Sequence, residues 1–210
     1  GVVDNYVKEE FRTALSDMGV VFEADNFNLS INPLQLTLEN ATFNNKKTGD
    51  KIARIGNARI GLTITDLYQL KFERNIDVYS TSVNDLEAWV LFDENGNSNF
   101  DGLVMTPEKS IKFNFASNNI SVRDSIVHFN EMSRKISGDA KNLQFFLDPI
   151  AQTSPEDILR YKFDFTSTDS TFTYDESKVD PIDITANGIV NSEIAEIESF
   201  KIKTPLGESV

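Results

Sequence analysis

The stretch "FNLSINPLQLTL", residues 27–38, carries one pattern twice. Phe27, Leu29 and Ile31 alternate with Asn28, Ser30 and Asn32, and beyond Pro33 the alternation resumes as Leu34, Leu36 and Leu38. A period of two marks extended backbone with one face in an apolar environment, because successive side chains point to opposite sides of a strand. Pro33 cannot donate to a strand ladder, so it interrupts the run.

The same period recurs on both sides. Phe22 and Ala24 precede it; Ala41 and Phe43 follow, up to the turn "NNKKTGD" (44–50), where Gly49 supplies the freedom. Ile52, Ile55, Ala58, Ile60, Leu62 and Ile64 form the next run, and residues 75–92 read as one or two strands ending in "LEAWVLF". Further on, Ile111, Phe113 and Phe115 alternate, then Ile120 and Val122, "SIVHF" (125–129), and Leu143, Phe145 and Leu147 up to Pro149. Tyr161, Phe163 and Phe165, then Phe172 and Tyr174, Ile182, Ile184 and Ala186, and finally "IESFKIKTPLG" complete the set. Two short helical turns are expected, "TDLYQL" (65–70) and "SPEDILRY" (154–161), the second with Ser154 as cap and Glu156 and Asp157 in its first turn. Segments near ten residues with turns between them predict a mainly β, largely antiparallel architecture.

Only the start departs from this period. Val7, Phe11, Ala14, Leu15 and Met18 recur at spacings of three and four, which predicts an amphipathic helix over 4–18, capped by Asp4 and stopped by Gly19. Its opposite face (Lys8, Glu9, Arg12, Ser16, Asp17) is not basic, so docking on the sheet fits it better than a membrane surface. No composition shift marks a linker. The whole of 1–210 reads as a single continuous β-rich segment of a longer protein. The helix and first β unit fill 1–105, and further β units fill 106–210.

Composition narrows the chemistry. The 210 residues are 40% hydrophobic and include 16 Phe, too many large apolar side chains for a disordered tail. No stretch approaches the roughly 18–20 apolar residues of a membrane helix, and the opening "GVVDNYVKEEF" has no signal-peptide pattern. Cysteine is absent, which removes disulfides, zinc-thiolate sites and thiol nucleophiles. The formal charge of −13 and the lack of a basic patch argue against nucleic acid.

Reactive constellations are sparse. In "FDENGNSNFDGL" (92–103), oxygen-bearing side chains fall on alternate positions, at Asp93, Asn95, Asn97, Asn99 and Asp101. A calcium loop counted from Asp93 would place Ser98 where Gly belongs and Val104 where a bidentate acid belongs, so an Asn-Gly turn fits better. His128, the one histidine, lies in a strand without a nucleophile elbow and reads as structural or solvent-facing. "RIGNARIG" (54–61) lacks the strand–turn–helix context of a phosphate loop. Glu193, Glu196 and Glu198 read as a solvated face, and the sequons "NLS", "NAT" and "NIS" as chance matches. No cofactor, metal site or catalytic residue is expected.

The phenylalanines remain. Spread over many strands, they form either an ordinary β core or the wall of a long sheet that must curl or be filled, and acyl chains suit such a trough because their burial is non-directional. Candidate lining positions, chosen by alternation, are Phe22, Leu36, Leu38, Ile60, Leu62, Val90, Phe92, Phe113, Phe115, Phe145, Phe163 and Phe165. Trp89 and Leu91 place apolar residues on the other face of one of these strands.

Residues 27–103, from "FNLSINPLQLTLENATF" to "DENGNSNFDGL", resemble the amino-terminal part of the AsmA/TamB superfamily. The pattern is a strand pair, a Gly turn into an alternating strand, a short Leu-bearing helix, and a hydrophobic strand closed by an Asp/Asn-Gly turn. Gly49, Leu67, Leu70, Gly96, Asn99, Phe100 and Leu103 fill its places, and "NNISVRDSIVHFNEMSRKISGDAKNLQFFL" (118–147) is similar to the family's next unit. The resemblance implies an elongated, curved sheet, a taco-like open groove, in a non-enzymatic periplasmic protein anchored to the inner membrane. It further implies transport of phospholipid by its acyl chains between inner and outer membranes. A scaffold for outer-membrane protein assembly, offering an exposed strand edge to an assembly partner, and a closed β-sandwich interaction module are the alternatives.

Overall fold

In the computed structural model the described residues are 2–64, 75–104, 112–114, 118–154, 158–191 and 194–209. Among these residues, one helix leads into eleven strands. They are α1 (Val2–Asp17), β1 (Val20–Ile31), β2 (Leu34–Asn45), β3 (Lys51–Ile64), β4 (Asn75–Phe92), β5 (Lys112–Asn114), β6 (Asn119–Glu131), β7 (Ile136–Pro149), β8 (Tyr161–Tyr174), β9 (Ser177–Val190), β10 (Ala195–Thr204) and β11 (Gly207–Ser209). All belong to one sheet in the order β1-β2-β3-β4-β6-β7-β8-β9-β10-β11, with the short β5 beside β4. The elongated, mainly β architecture with its amino-terminal helix is as expected.

The pairing is antiparallel except at β4, which runs parallel to both β5 and β6. A parallel neighbour cannot be reached by a tight hairpin, and the chain travels from Phe92 to Asn119 before β6 begins. Alternation reports which residues share a face and is silent on strand direction, so this inversion lay beyond the sequence pattern.

The expected curl is not there. Among the described residues, each strand touches no strand other than its hydrogen-bonded neighbours, and neither end of the sheet meets the other. A trough needs its two walls to approach across the apolar face; here the sheet is open and neither curled nor closed. The accessible surface agrees. It is 13279 Å², whereas a compact chain of 23.6 kDa exposes about 9,800 Å². Period two specifies a greasy face; curvature depends on where bulges and bends fall, which that period does not encode.

The helix starts at Val2, so Asp4 lies within its first turn and is not the cap. Gly19 does end it, with φ of +85°, a conformation that other residues adopt only with strain. The 65–70 turn falls outside the described residues. Of the 154–161 helix, Ser154 is a bend and 158–160 are irregular, while 155–157 lie outside the described residues.

Phe11 of α1 packs edge-on against Phe22 and Phe27, with ring centroids 5.5 and 5.4 Å away. Beneath it lies the core, with Phe27, Leu36, Leu38, Ala41, Ala58, Leu62, Val78 and Val83 buried as one cluster. The core therefore sits at the amino-terminal end of the sheet.

Candidate functional site

Directly paired residues of neighbouring strands project to the same face. Following the register from one edge gives a single transverse ladder: Phe27 pairs with Leu38, Leu38 with Ala58, Ala58 with Val83 and Val83 with Val122. It continues from Val122 to Phe145, Phe165, Ala186 and Phe200. Every member is apolar, and the ladder crosses all the long strands. A second row beside it runs Leu29, Leu36, Ile60, Thr81, Ile120, Leu147, Phe163, Gly188 and Ile197.

The apolar phase slips by three on strand after strand: Ala24 to Phe27, Leu38 to Ala41, Ile55 to Ala58, Val83 to Leu86, Ala140 to Leu143, Ile197 to Phe200. In unbroken extended backbone a step of three changes faces. A line of left-handed residues absorbs the slip. Asn40, Asp85, Asp124, Asn142 and Asp169 have φ between 46° and 56° and sit mid-strand at corresponding heights. Asn and Asp tolerate this conformation better than other side chains. The result is visible at β1, where Phe22 and Phe27 share a face with ring centroids 5.4 Å apart. Gly56 lies on the same line between Asn40 and Asp85, and a Cβ there would strike the Asp85 carboxylate. On the polar side the line is knitted by Asn40 Nδ2 donating to Asp25 Oδ2 (3.0 Å) and Gln144 Nε2 donating to Asp124 Oδ1 (3.1 Å). On the apolar side Ser125, Ser167 and Ser170 are buried, and the Ser170 hydroxyl donates to Ser167 Oγ at 3.1 Å.

The seam decides where the sequence-predicted lining residues go. By register, Phe22, Leu36, Leu38, Ile60, Leu62, Val90, Phe92, Phe145, Phe163 and Phe165 all lie on the face of the apolar ladder. Phe113 pairs with Ile76 in the short parallel β5, and Phe115 lies outside the described residues. Leu36, Leu38 and Leu62 are buried in the core; Phe145, Phe163 and Phe165 are half-buried. Sequence reading missed Phe27, Val122, Leu143, Phe172, Ile197 and Phe200 on this face. Phe172, Ile197 and Phe200 are 41%, 62% and 46% exposed. Where β8 begins and β9 ends, Tyr161 pairs with Val190 beside a cavity of about 420 Å³, lined by Leu159, Tyr161, Val190 and Asn191. Burial pushes the Tyr161 hydroxyl above its ordinary pKa.

The opposite face is polar. His128 bridges three strands: its Nδ1 lies 2.7 Å from Asp139 Oδ1 on β7 and its Nε2 3.0 Å from Glu87 Oε1 on β4. Trp89 stacks on its ring at 5.6 Å, and Lys51 lies over the indole at 5.3 Å. Partial burial opposes charge on His128, but the two carboxylates outweigh it and raise its pKa above the usual value. Glu87 is held below the usual carboxylate range, first by its hydrogen bond to His128 and then, against some desolvation, by Arg54. Both imidazole nitrogens are engaged by carboxylates, so the group is an ion-paired staple with neither nitrogen turned toward a nucleophile.

The 93–101 loop spends its polar groups on itself and on the strands beside it. Asp93 Oδ1 accepts from the amides of Asn95 (2.8 Å) and Asn97 (2.9 Å), and its Oδ2 accepts from Asn97 Nδ2 (2.8 Å). These bonds, the Asn97 side chain first, lower the Asp93 pKa. Asn99 is buried; its amide donates to Lys51 O (2.7 Å) and Trp89 O (2.8 Å) and its Oδ1 accepts from Leu91 N. Asn45, also buried, donates to the carbonyls of Asn99 (3.0 Å) and Asp101 (2.9 Å). The arrangement is that of a side-chain-stabilised turn. Among the described residues, no group of three or more His, Asp or Glu is placed to hold a metal ion, and no helix is long and apolar enough to cross a membrane.

Comparison with models of known protein families and with curated proteins finds no match to this chain.

Proposed function

We propose that this chain is a non-enzymatic lipid-handling segment of an envelope protein, similar in kind to the AsmA/TamB superfamily. Phospholipid acyl chains lie against its uncovered apolar face on their way between inner and outer membranes. The occupant meets an open face and not the walls of a groove. One observation carries the reading: the apolar ladder from Phe27 to Phe200 is unbroken across the sheet, yet among the described residues only its amino-terminal end is covered. An uncovered, contiguous apolar face of this extent marks a place where something apolar is held. The ladder contains no polar side chain that would select a ligand by hydrogen bonding, and alkyl chains need none, since their burial scales with area alone. Head groups would stay in water, and the periplasm is the compartment in which such a sheet has both membranes within reach.

The test is to purify the chain from a bacterium with an outer membrane and identify extracted lipid by mass spectrometry. Phospholipid is expected at near-stoichiometric level. It should be lost in a Phe163→Glu/Phe165→Glu variant whose circular dichroism is unchanged. Lipid no higher than in an unrelated purified protein, or equal in the variant, overturns the proposal. The sandwich alternative needs a second sheet, and all described strands belong to one.

A further inference from the structure

We propose that Asn95 is a site of spontaneous covalent modification. Its side-chain amide is converted, through a cyclic imide closed on the Gly96 nitrogen, to aspartate and isoaspartate. The chain has two Asn-Gly pairs, Asn95–Gly96 and Asn187–Gly188. They share the chemistry and differ in their surroundings. Glycine matters because it has no Cβ to hinder the ring as it closes. Asn95 and Gly96 are exposed in the turn that follows β4. A Cβ at Gly96 would meet no atom within 4 Å, so the space beside it is open. Among the described residues no hydrogen bond holds the Asn95 side-chain amide; only its backbone N–H is engaged, by Asp93 Oδ1. The Asn97 amide, by contrast, donates to Asp93 Oδ2 at 2.8 Å. The Gly96 nitrogen makes one bond, to Asp93 O at 3.1 Å, which must open before ring closure.

At Asn187 the same pair lies within β9. Asn187 is in register with Asp164 of β8 and Ser199 of β10, and Gly188 with Phe163 and Ile197. Gly188 is buried, and a Cβ there would strike the Glu196 carbonyl. Closing the ring would turn this peptide out of the sheet, against neighbours on both sides. The turn belongs to the part of a fold that opens most easily. The step balances with water as its only co-reactant. The Gly96 nitrogen gives up its proton and bonds to Asn95 Cγ; the Cγ–Nδ2 bond breaks, and the amide leaves as ammonia. Water then opens the imide at either carbonyl. Opening at Cγ restores the ordinary chain as aspartate. Opening at the main-chain carbonyl reroutes the backbone through the side chain as isoaspartate. Either product adds one negative charge beside Asp93 and Glu94. This inference does not rest on the acyl-chain reading.

Incubation of the folded chain in heavy-oxygen water at mildly alkaline pH, followed by digestion and peptide mass spectrometry, tests it. Asn95 is expected to take up heavy oxygen at least about tenfold faster than Asn187, because the turn opens locally and the strand does not. In strong urea the two rates should draw together to within about threefold, since the fold no longer distinguishes the pairs. Isoaspartate, read by an isoaspartate-specific methyltransferase, should accompany aspartate at Asn95. Asn95→Gln, whose longer side chain closes a ring far more slowly, should abolish the acidic species that ion exchange resolves on ageing. Its circular dichroism should be unchanged, because the Asn95 side chain holds nothing in place. An Asn95 that survives as long as Asn187 in the folded chain overturns the inference. So does aspartate without isoaspartate, which would mean direct hydrolysis, or an acidic species undiminished in Asn95→Gln.

Discussion

Leu38 and Phe165 stand on one transverse ladder, joined through Ala58, Val83, Val122 and Phe145. Leu38 is 2% exposed, whereas Phe165 is only half-buried. The strands beneath them are built alike. What differs is the cover: Phe11 of α1 closes over β1, and the buried cluster gathers there, while beyond β6 Leu143 is the only buried large apolar side chain among the described residues. Pattern therefore decides which way a side chain points, and cover decides whether pointing that way stabilises the fold. The amino-terminal end uses its apolar face as a core; the carboxy-terminal end leaves the same face available.

The largest expected effect measures that difference. Leu38→Ala should cost about 3 kcal/mol, the transfer loss plus the cavity left behind. Phe165→Ala removes more atoms but leaves no closed cavity, and should cost about 1–1.5 kcal/mol. Urea unfolding of lipid-free protein reads both. Equal costs would mean that the carboxy-terminal face is sealed in solution, and the contrast between the two ends would be gone.

The seam is shared by both ends, so it should break both equally. Asn40→Val and Asn142→Val each force a β-branched residue into the left-handed region, at about 1–2 kcal/mol. Replacement by Gly, which accepts that conformation freely, should cost less than half as much. If Val costs the same as Gly at both positions, the aligned backbone geometry is incidental to stability.

Seam and strands were not equally legible. The alternation showed the strands and even placed ten of the twelve candidate lining residues on one face. It did so because runs such as Phe22–Ala24 and Phe27–Ile31 are each in phase internally. The slip of three between them was also in the sequence. So was its cause, an Asn or Asp in mid-strand at positions 40, 85, 124, 142 and 169, where strand propensity disfavours both. Single-strand reading treats each slip as a fresh start; only the alignment of slips across neighbouring strands shows one line. The expectation of curl failed, and strand direction and cover stayed hidden, because all three depend on contacts between segments distant in the chain. The buried Asn45 and Asn99 pair was hidden for the same reason, since each reads locally as an ordinary turn residue.

The His128 staple links the two ends, joining β4 to β6 and β7, and it makes the junction sensitive to pH. Its folded pKa is raised, so its contribution is complete below the unfolded value, about 6.5, and is lost as pH rises through the folded value. Glu87 works in the other direction: its lowered pKa gives a contribution present above its unfolded value and lost as pH falls through the folded one. Stability should therefore decline on raising the pH from slightly acid to slightly alkaline. His128→Gln should flatten that decline. A slope unchanged by the substitution would show that the imidazole holds nothing together.

The smallest expected effect is where the two ends should stop differing. Ile31, on the apolar face at the tip of β1, is 67% exposed, and Tyr174, at the tip of β8, is 58% exposed. Both lie at strand ends, beyond whatever covers the middle of the face. Ile31→Ser and Tyr174→Ser should each change stability by less than about 0.5 kcal/mol, as at other surface positions. A loss above about 1 kcal/mol for Ile31→Ser alone would mean that the amino-terminal cover reaches past Phe11 to the strand tips. The exposed end of the sheet would then begin further along the ladder than Leu38 and Phe165 suggest.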